Sequence, residues 1–151
     1  MPLPDIKDFT AISTGGTFQL SAHLGKNLII YFYPKDNTPG CTTEGMEFRD
    51  LANDFAKANT IIAGVSRDSL KSHEGFKTKL DLPYELISDP DETLCEQFGV
   101  MKLKNMYGKQ VRGVERSTFV FDKTGKLVKE WRALKAPGHA AEALEYVRTL
   151  K

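Results

Sequence analysis

Asn27-Leu-Ile-Ile-Tyr-Phe-Tyr33 runs directly into Pro34-Lys-Asp-Asn-Thr-Pro-Gly-Cys41-Thr-Thr-Glu44. The first part is a nearly continuous apolar run of strand length, suited to burial on both faces of a sheet. The second part is rich in Pro, Gly, Asn and Thr, the residues of a turn. From about Thr42 to Ala58 the pattern becomes helical, with Phe48, Leu51, Ala52 and Phe55 on one face. Thr60-Ile-Ile-Ala-Gly-Val-Ser66 is a second buried strand. Strand, helix and strand in this order make a right-handed crossover between parallel strands.

Other elements extend outward from this unit. A helix is predicted over Ser69–Lys79, with Leu70, Phe76 and Leu80 inward and Ser69 or Asp68 as its cap. Tyr84–Ile87 reads as a short strand, and Asp91–Phe98 as a short helix stopped by Gly99. Ser117–Asp122 and Lys126–Arg132 flank Lys123-Thr-Gly125 as a hairpin. A last helix is predicted over about Gly138–Leu150, with Ala141, Leu144, Val147 and Ala140 toward the core. Phe9–Ile12 and Thr17–Leu20, around Gly15-Gly16, form an N-terminal hairpin. The segment Met101–Glu115, rich in Lys, Gly and Met, reads as a long loop. Together these describe an α/β fold, a thioredoxin-like three-layer sandwich with a mixed central sheet between helices. Periodicity supports the mixed sheet without choosing its topology.

The 151 residues suit a single domain over 1–151, long enough to bury a core without disulfides. Hydrophobic residues are 40% and charged residues 27%, the balance of an ordinary globule. A net charge of +1 argues against a nucleic-acid binder, which needs a basic excess for phosphate contacts. The basic residues Lys102, Lys104, Lys109 and Arg112 are read as solvated loop charge. No apolar run is long enough for a membrane helix, and the start, Met1–Asp8, lacks the pattern of a signal peptide. Two cysteines fit a reducing cytoplasm and cannot build a disulfide framework. His23, His73 and His139 show no ligand spacing with cysteine, so no metal is expected. There is no C-x-x-C pair, phosphate loop or nicotinamide fingerprint, and no cofactor is expected. Trp131 reads as packing.

The chemistry concentrates at Cys41. Ligands of α/β sheets gather at the carboxyl ends of strands, where this turn lies. Thr38 reads as N-cap and Pro39 as the first helical residue, which puts Cys41 in the first turn, unhindered at the mouth of the fold. Free N–H groups and the helix dipole there favour a thiolate. On spacing alone, a reactive and a merely buried cysteine remain evenly balanced.

The spacing Pro34-x-x-x-Thr38-x-x-Cys41 resembles the active-site pattern of peroxiredoxins. The longer text Phe32–Glu44 is similar to the peroxiredoxin Q, or bacterioferritin comigratory protein, branch. So are Ser88-Asp89, Cys95–Val100, Gly108-Lys109 and Arg116–Asp122. The resemblance implies a thiol peroxidase that reduces hydrogen peroxide and organic hydroperoxides through a Cys41 sulfenic acid. It implies that Arg116 lies beside the sulfur, lowers its pKa and holds the peroxide. Thr38 would offer its hydroxyl to the peroxide or the sulfur, Pro34 would screen the pocket, and Glu44 would orient Arg116 or brace the helix. Many chains of the branch carry a second, resolving cysteine five residues after the first, where this chain has Met46. Cys95 is the remaining internal candidate and reads as structural. The expected cycle then uses one cysteine and an external thiol: thioredoxin, glutaredoxin or glutathione. A monomer or weak homodimer is expected. Two alternatives stay open: a thiol-transferring protein of similar build, and a redox-sensing or chaperone-like module using Cys41 as a switch.

Overall fold

A computed structural model describes Leu3 and residues 6–150. The crossover unit forms its centre. Strand β3 (Asn27–Phe32) is buried at every position and pairs in parallel with β4 (Thr60–Ser66), which pairs in parallel with β5 (Glu85–Ser88). The N-terminal hairpin, β1 (Thr10–Ser13) and β2 (Gly16–Gln19), adds antiparallel to β5, followed by a 3-10 turn at Leu20–His23. On the other side β8 (Ser117–Phe121) runs antiparallel to β3, and β9 (Leu127–Trp131) to β8. The resulting seven-stranded order is β2-β1-β5-β4-β3-β8-β9, the mixed sheet of a thioredoxin-like fold.

Alternation along the central strands creates two cores. Ile29, Tyr31 and Tyr33 point to one face, where they meet α1 (Pro39–Asp50), α2 (Ala52–Lys57), α3 (Leu70–Leu80) and α5 (His139–Val147). Leu28, Ile30 and Phe32 point to the other, where they meet α4 (Thr93–Gln97), the 3-10 turn and Phe98. The period of two in a strand forces this division.

Three expectations need correction. Met101–Glu115 is not a loop: β6 (Met101–Met106) and β7 (Lys109–Val114) form a separate two-stranded hairpin. Its turn is Tyr107-Gly108, both with positive φ, 53° and 78°, as a tight two-residue hairpin turn demands. The pattern is silent because most of β7 is exposed, so no apolar alternation marks it. Arg112 on this hairpin is exposed, as expected, and pairs there with Glu92 and Glu96 of the α4 region. The helical pattern read over Thr42–Ala58 is not one helix: it begins at Pro39, as the Thr38-Pro39 cap predicts, and breaks at Leu51 (φ −101°, ψ 6°). Phe48 and Phe55 are both buried across the break, so apolar spacing passes through it unchanged. In α5 the buried stripe is His139, Ala140, Ala143, Leu144 and Val147, and Ala141 faces solvent. Alanines at 140, 141 and 143 make neighbouring stripes equally apolar in sequence, and packing against Phe48 and the sheet selects between them.

Candidate active site

The turn after β3 ends in α1, whose N-cap is Thr38 with Pro39 at its first position. Pro39 suits that place because its missing N–H would have no partner there and its φ is already helical. Thr42 N–H makes a 2.9 Å bond to Thr38 O, so the N–H of Cys41 precedes the intrahelical ladder. Register then supplies the counterpart. Ser117 of β8 lies opposite Phe32, which brings Arg116 alongside the end of β3 where the turn departs.

Arg116 Nη2 lies 3.3 Å from Cys41 Sγ, and Nη1 donates to Glu44 Oε1 at 2.6 Å. Glu44 is one helical turn beyond Cys41 and fully buried, while the Arg116 side chain keeps 16% exposure. Burial outweighs the neighbouring guanidinium and raises the Glu44 carboxyl to about 7. Desolvation opposes the charge of Arg116, but Glu44 and Cys41 outweigh it and hold the guanidinium above its ordinary value. Glu44 Oε2 is buried without a hydrogen-bond partner. One carboxylate oxygen therefore fixes the arginine while the other remains free.

Cys41, Arg116 and Glu44 thus meet at one place, while Pro34 and Thr38 stay half-buried in the turn. Two details depart from expectation. The Thr38 side chain does not cap the helix: its hydroxyl donates to Lys35 O at 2.8 Å, and no bond to the sulfur forms. With its proton committed to that carbonyl, the hydroxyl offers an incoming group its lone pairs. Cys41 is also not an open residue at a mouth. It is 2% exposed, because the first turn of α1 packs down into the core shared with Tyr31 and Tyr33.

Gly40 was not singled out by the sequence, yet it matters here. A Cβ on it would stand 3.1 Å from Arg116 Nη2, tighter than ordinary contact. The glycine lets the guanidinium reach the sulfur. The helix is anchored from below: Tyr84 hydroxyl donates to Gly45 O at 3.1 Å and accepts from Tyr31 hydroxyl at 2.6 Å. Asp36, Asp68 and His73 also bring ligand-type atoms within 4.8 Å of one another. Their atoms are already engaged: His73 meets Asp36 and Ile87 O, and Asp68 Oδ2 accepts from Asp36 N–H and Ser66 hydroxyl. This group is a hydrogen-bonded network, invisible to spacing because it joins the turn after β3, the loop after β4 and α3.

Cys95 lies elsewhere. It is 0% exposed and belongs to the core on the opposite face of the sheet from Cys41. Burial, reinforced by the Asp89 carboxylate, pushes its thiol well above the ordinary cysteine range. Met46 packs partly buried against the core under α1.

The geometry is that of a thiol held against a fixed cation, and comparison places it in a family. The AhpC/TSA family model matches residues 3–130. The chain belongs to the AhpC/TSA family. Within it, the chain falls in the peroxiredoxin Q branch. It is 54% identical over 134 residues to Peroxiredoxin Bcp of Xanthomonas campestris, covering 89% of this chain and 84% of that one. It is 49% identical over 136 residues to Peroxiredoxin Bcp of Bacillus subtilis, covering 90% and 87%. A solved structure of Xanthomonas campestris peroxiredoxin Q superposes with a TM-score of 0.89 at 51% identity, covering 93% of this chain and 90% of that one. The same organism's bacterioferritin comigratory protein, with alkyl peroxide reduction activity, matches at 50% identity and TM-score 0.89 over 93% and 90%. Peroxiredoxins are thiol peroxidases, and this chain is one of them. Among the described residues no helix is long and apolar enough to cross a membrane.

Proposed function

We propose that Cys41 is the peroxidatic nucleophile and that it works in a one-cysteine cycle. The observation that supports this most directly is the Arg116 guanidinium 3.3 Å from its sulfur. A permanent positive charge interacts more favourably with an anionic than with a neutral sulfur. In the reaction the Cys41 thiolate attacks the terminal peroxide oxygen, the S–O bond forms and the O–O bond breaks. The products are a sulfenic acid and, after one proton is taken up, water or an alcohol. Charge builds on the leaving oxygen, and Arg116 and the Cys41 N–H are donors already in place for it. Glu44 orients the guanidinium, and Pro34 and Thr38 shape the turn from which the peroxide enters.

The sheet that separates the two cysteines supports recycling by an external thiol, since a disulfide needs Cα atoms within about 7 Å. One external thiol condenses with the sulfenic acid, releasing water and leaving a mixed disulfide. A second thiol then displaces Cys41 as thiolate and leaves as the oxidised reductant. Thioredoxin, glutaredoxin and glutathione are the candidate donors, acting on a monomer or weak homodimer without nucleic acid or membrane.

Peroxide consumption by the wild type, Cys41→Ser and Cys95→Ser with each donor tests the cycle. Turnover is expected in the wild type and Cys95→Ser, and none in Cys41→Ser. A dimedone adduct on Cys41 after brief peroxide treatment is expected, whereas a mapped Cys41–Cys95 bridge would refute the one-cysteine cycle.

A further inference from the structure

The turn that delivers Cys41 is held by a buried Asp–His pair that the peroxidase chemistry does not itself use. Asp36 Oδ2 lies 2.7 Å from His73 Nδ1, with side-chain exposures of 1% and 0%. Asp36 Oδ1 accepts from Tyr33 hydroxyl at 2.6 Å, and Oδ2 also accepts from Ser72 hydroxyl at 2.8 Å. His73 Nε2 faces Ile87 O at 2.9 Å, an atom that can only accept. An acceptor thus faces each ring nitrogen, the Asp36 carboxyl at Nδ1 and the Ile87 carbonyl at Nε2, and the ring is held at both ends. Asp36 N–H donates in turn to Asp68 Oδ2 at 2.9 Å. One residue of the turn is thereby tied to β3, α3 and the loop after β4, and through His73 to β5.

The next residue, Asn37, takes a left-handed φ of 65°, and Thr38 follows as the N-cap of α1. The anchor therefore sits at the point where the chain reverses into the helix that carries Cys41. Burying polar groups costs desolvation, so such a pair is a poor stabilising device. What it does well is enforce a single geometry.

We propose that Asp36 and His73 are positioning residues for the reaction at Cys41: they hold the turn so that sulfur, helix N-terminus and Arg116 converge on the peroxide. This rests on the assignment of Cys41 as nucleophile. Loss of the clamp should spare the sulfur's general reactivity and impair the step that needs converging donors, since displacement by about 1 Å can cost a hundredfold in rate.

The test compares two second-order rates at Cys41, with hydrogen peroxide and with iodoacetamide, which needs no oxyanion donors. Both are measured on folded protein, as judged by circular dichroism. In Asp36→Asn and His73→Gln the ratio of peroxide to alkylation rate is expected to fall about 10- to 100-fold. The double variant should fall no further than the worse single one, because the pair acts as a unit. A ratio within about fivefold of wild type, including a parallel fall in both rates, would overturn the proposal. Should those variants fail to fold, Ser72→Ala and Tyr33→Phe each remove one donor to Asp36 without stranding a charge. A drop in their ratio of about threefold or more supports the clamp, and a smaller change overturns it. Wild type and Cys41→Ser are run alongside. If wild type forms no peroxide-dependent sulfenic acid on Cys41, the nucleophile assignment itself fails and takes the clamp with it. If wild type reacts and the variants keep its ratio, only the clamp fails.

Discussion

Cys41 and Cys95 occupy the same formal place, the third residue of a helix, yet they face opposite chemistry. At Cys41 the nearest charge is the Arg116 guanidinium. At Cys95 it is Asp89, whose carboxylate accepts from Leu94 N–H at 3.1 Å and Cys95 N–H at 2.8 Å. Asp89 takes up the free amides at the start of α4 and brings a negative charge beside the second thiol. Both residues are almost fully buried, so exposure does not separate them. A helix N-terminus therefore does not by itself set a thiol's electrostatic surroundings. The side chain that reaches it differs in sign, a guanidinium at Cys41 and a carboxylate at Cys95.

That contrast can be broken in order of expected effect. Cys41→Ser should abolish peroxide turnover altogether, read by peroxide consumption. Arg116→Met removes the charge that distinguishes the two sites, and the peroxide rate should fall about a hundredfold or more, read by stopped-flow oxidation. Iodoacetamide labelling of Cys41 near neutral pH should slow in the same variant.

Glu44 gives the contrast a pH signature. Its carboxyl, raised by burial to about 7, holds a proton in the folded state that the unfolded chain has already released near its ordinary value of 4.5. Stability should therefore fall as pH rises between those values and level off above them, by about 3 kcal/mol at most. Glu44→Gln should flatten this segment, as measured by urea midpoints at pH 5 and pH 8. A wild-type profile already flat there would show that Glu44 is ionised throughout.

Gly40→Ala sharpens the contrast more gently. Its new methyl group crowds Arg116 Nη2 at 3.1 Å, so the peroxide rate should drop roughly threefold to tenfold with little change in melting temperature. Cys95→Ala should have the smallest catalytic effect, a peroxide rate within about twofold of wild type, with a stability loss on the order of 1 kcal/mol from the small void. Any larger fall in turnover with a thiol donor would give Cys95 a part in recycling.

Much of the fold was legible because its central strands are short, β-rich and apolar throughout, and because the turn after β3 announces itself with Pro and Gly. The β6–β7 hairpin was not, since exposed strands carry no buried face to imprint a period. Within the site, Cys41 and its helical turn could be read locally. The thiol's burial and the commitment of the Thr38 hydroxyl to Lys35 O could not, because both depend on how the turn settles onto the core. Gly40 looked like ordinary turn punctuation, and its use appears only with the guanidinium in place. His73 looked like one histidine among scattered ones. Its partner, Asp36, is separated from it in the chain by α1, α2, β4 and the start of α3.

By itself, the sequence determined the crossover unit, the helix start at Thr38-Pro39 and the presence of a cysteine in the first turn. Those are matters of local backbone preference and apolar periodicity, which act over a few residues. Only the tertiary structure decided which charge each cysteine meets. Arg116 is 75 residues from Cys41 and reaches it through the register of β8 on β3, and the same sheet holds Cys95 on its far side. Electrostatic interaction depends on distance in space, and that distance is set only when the strands pair.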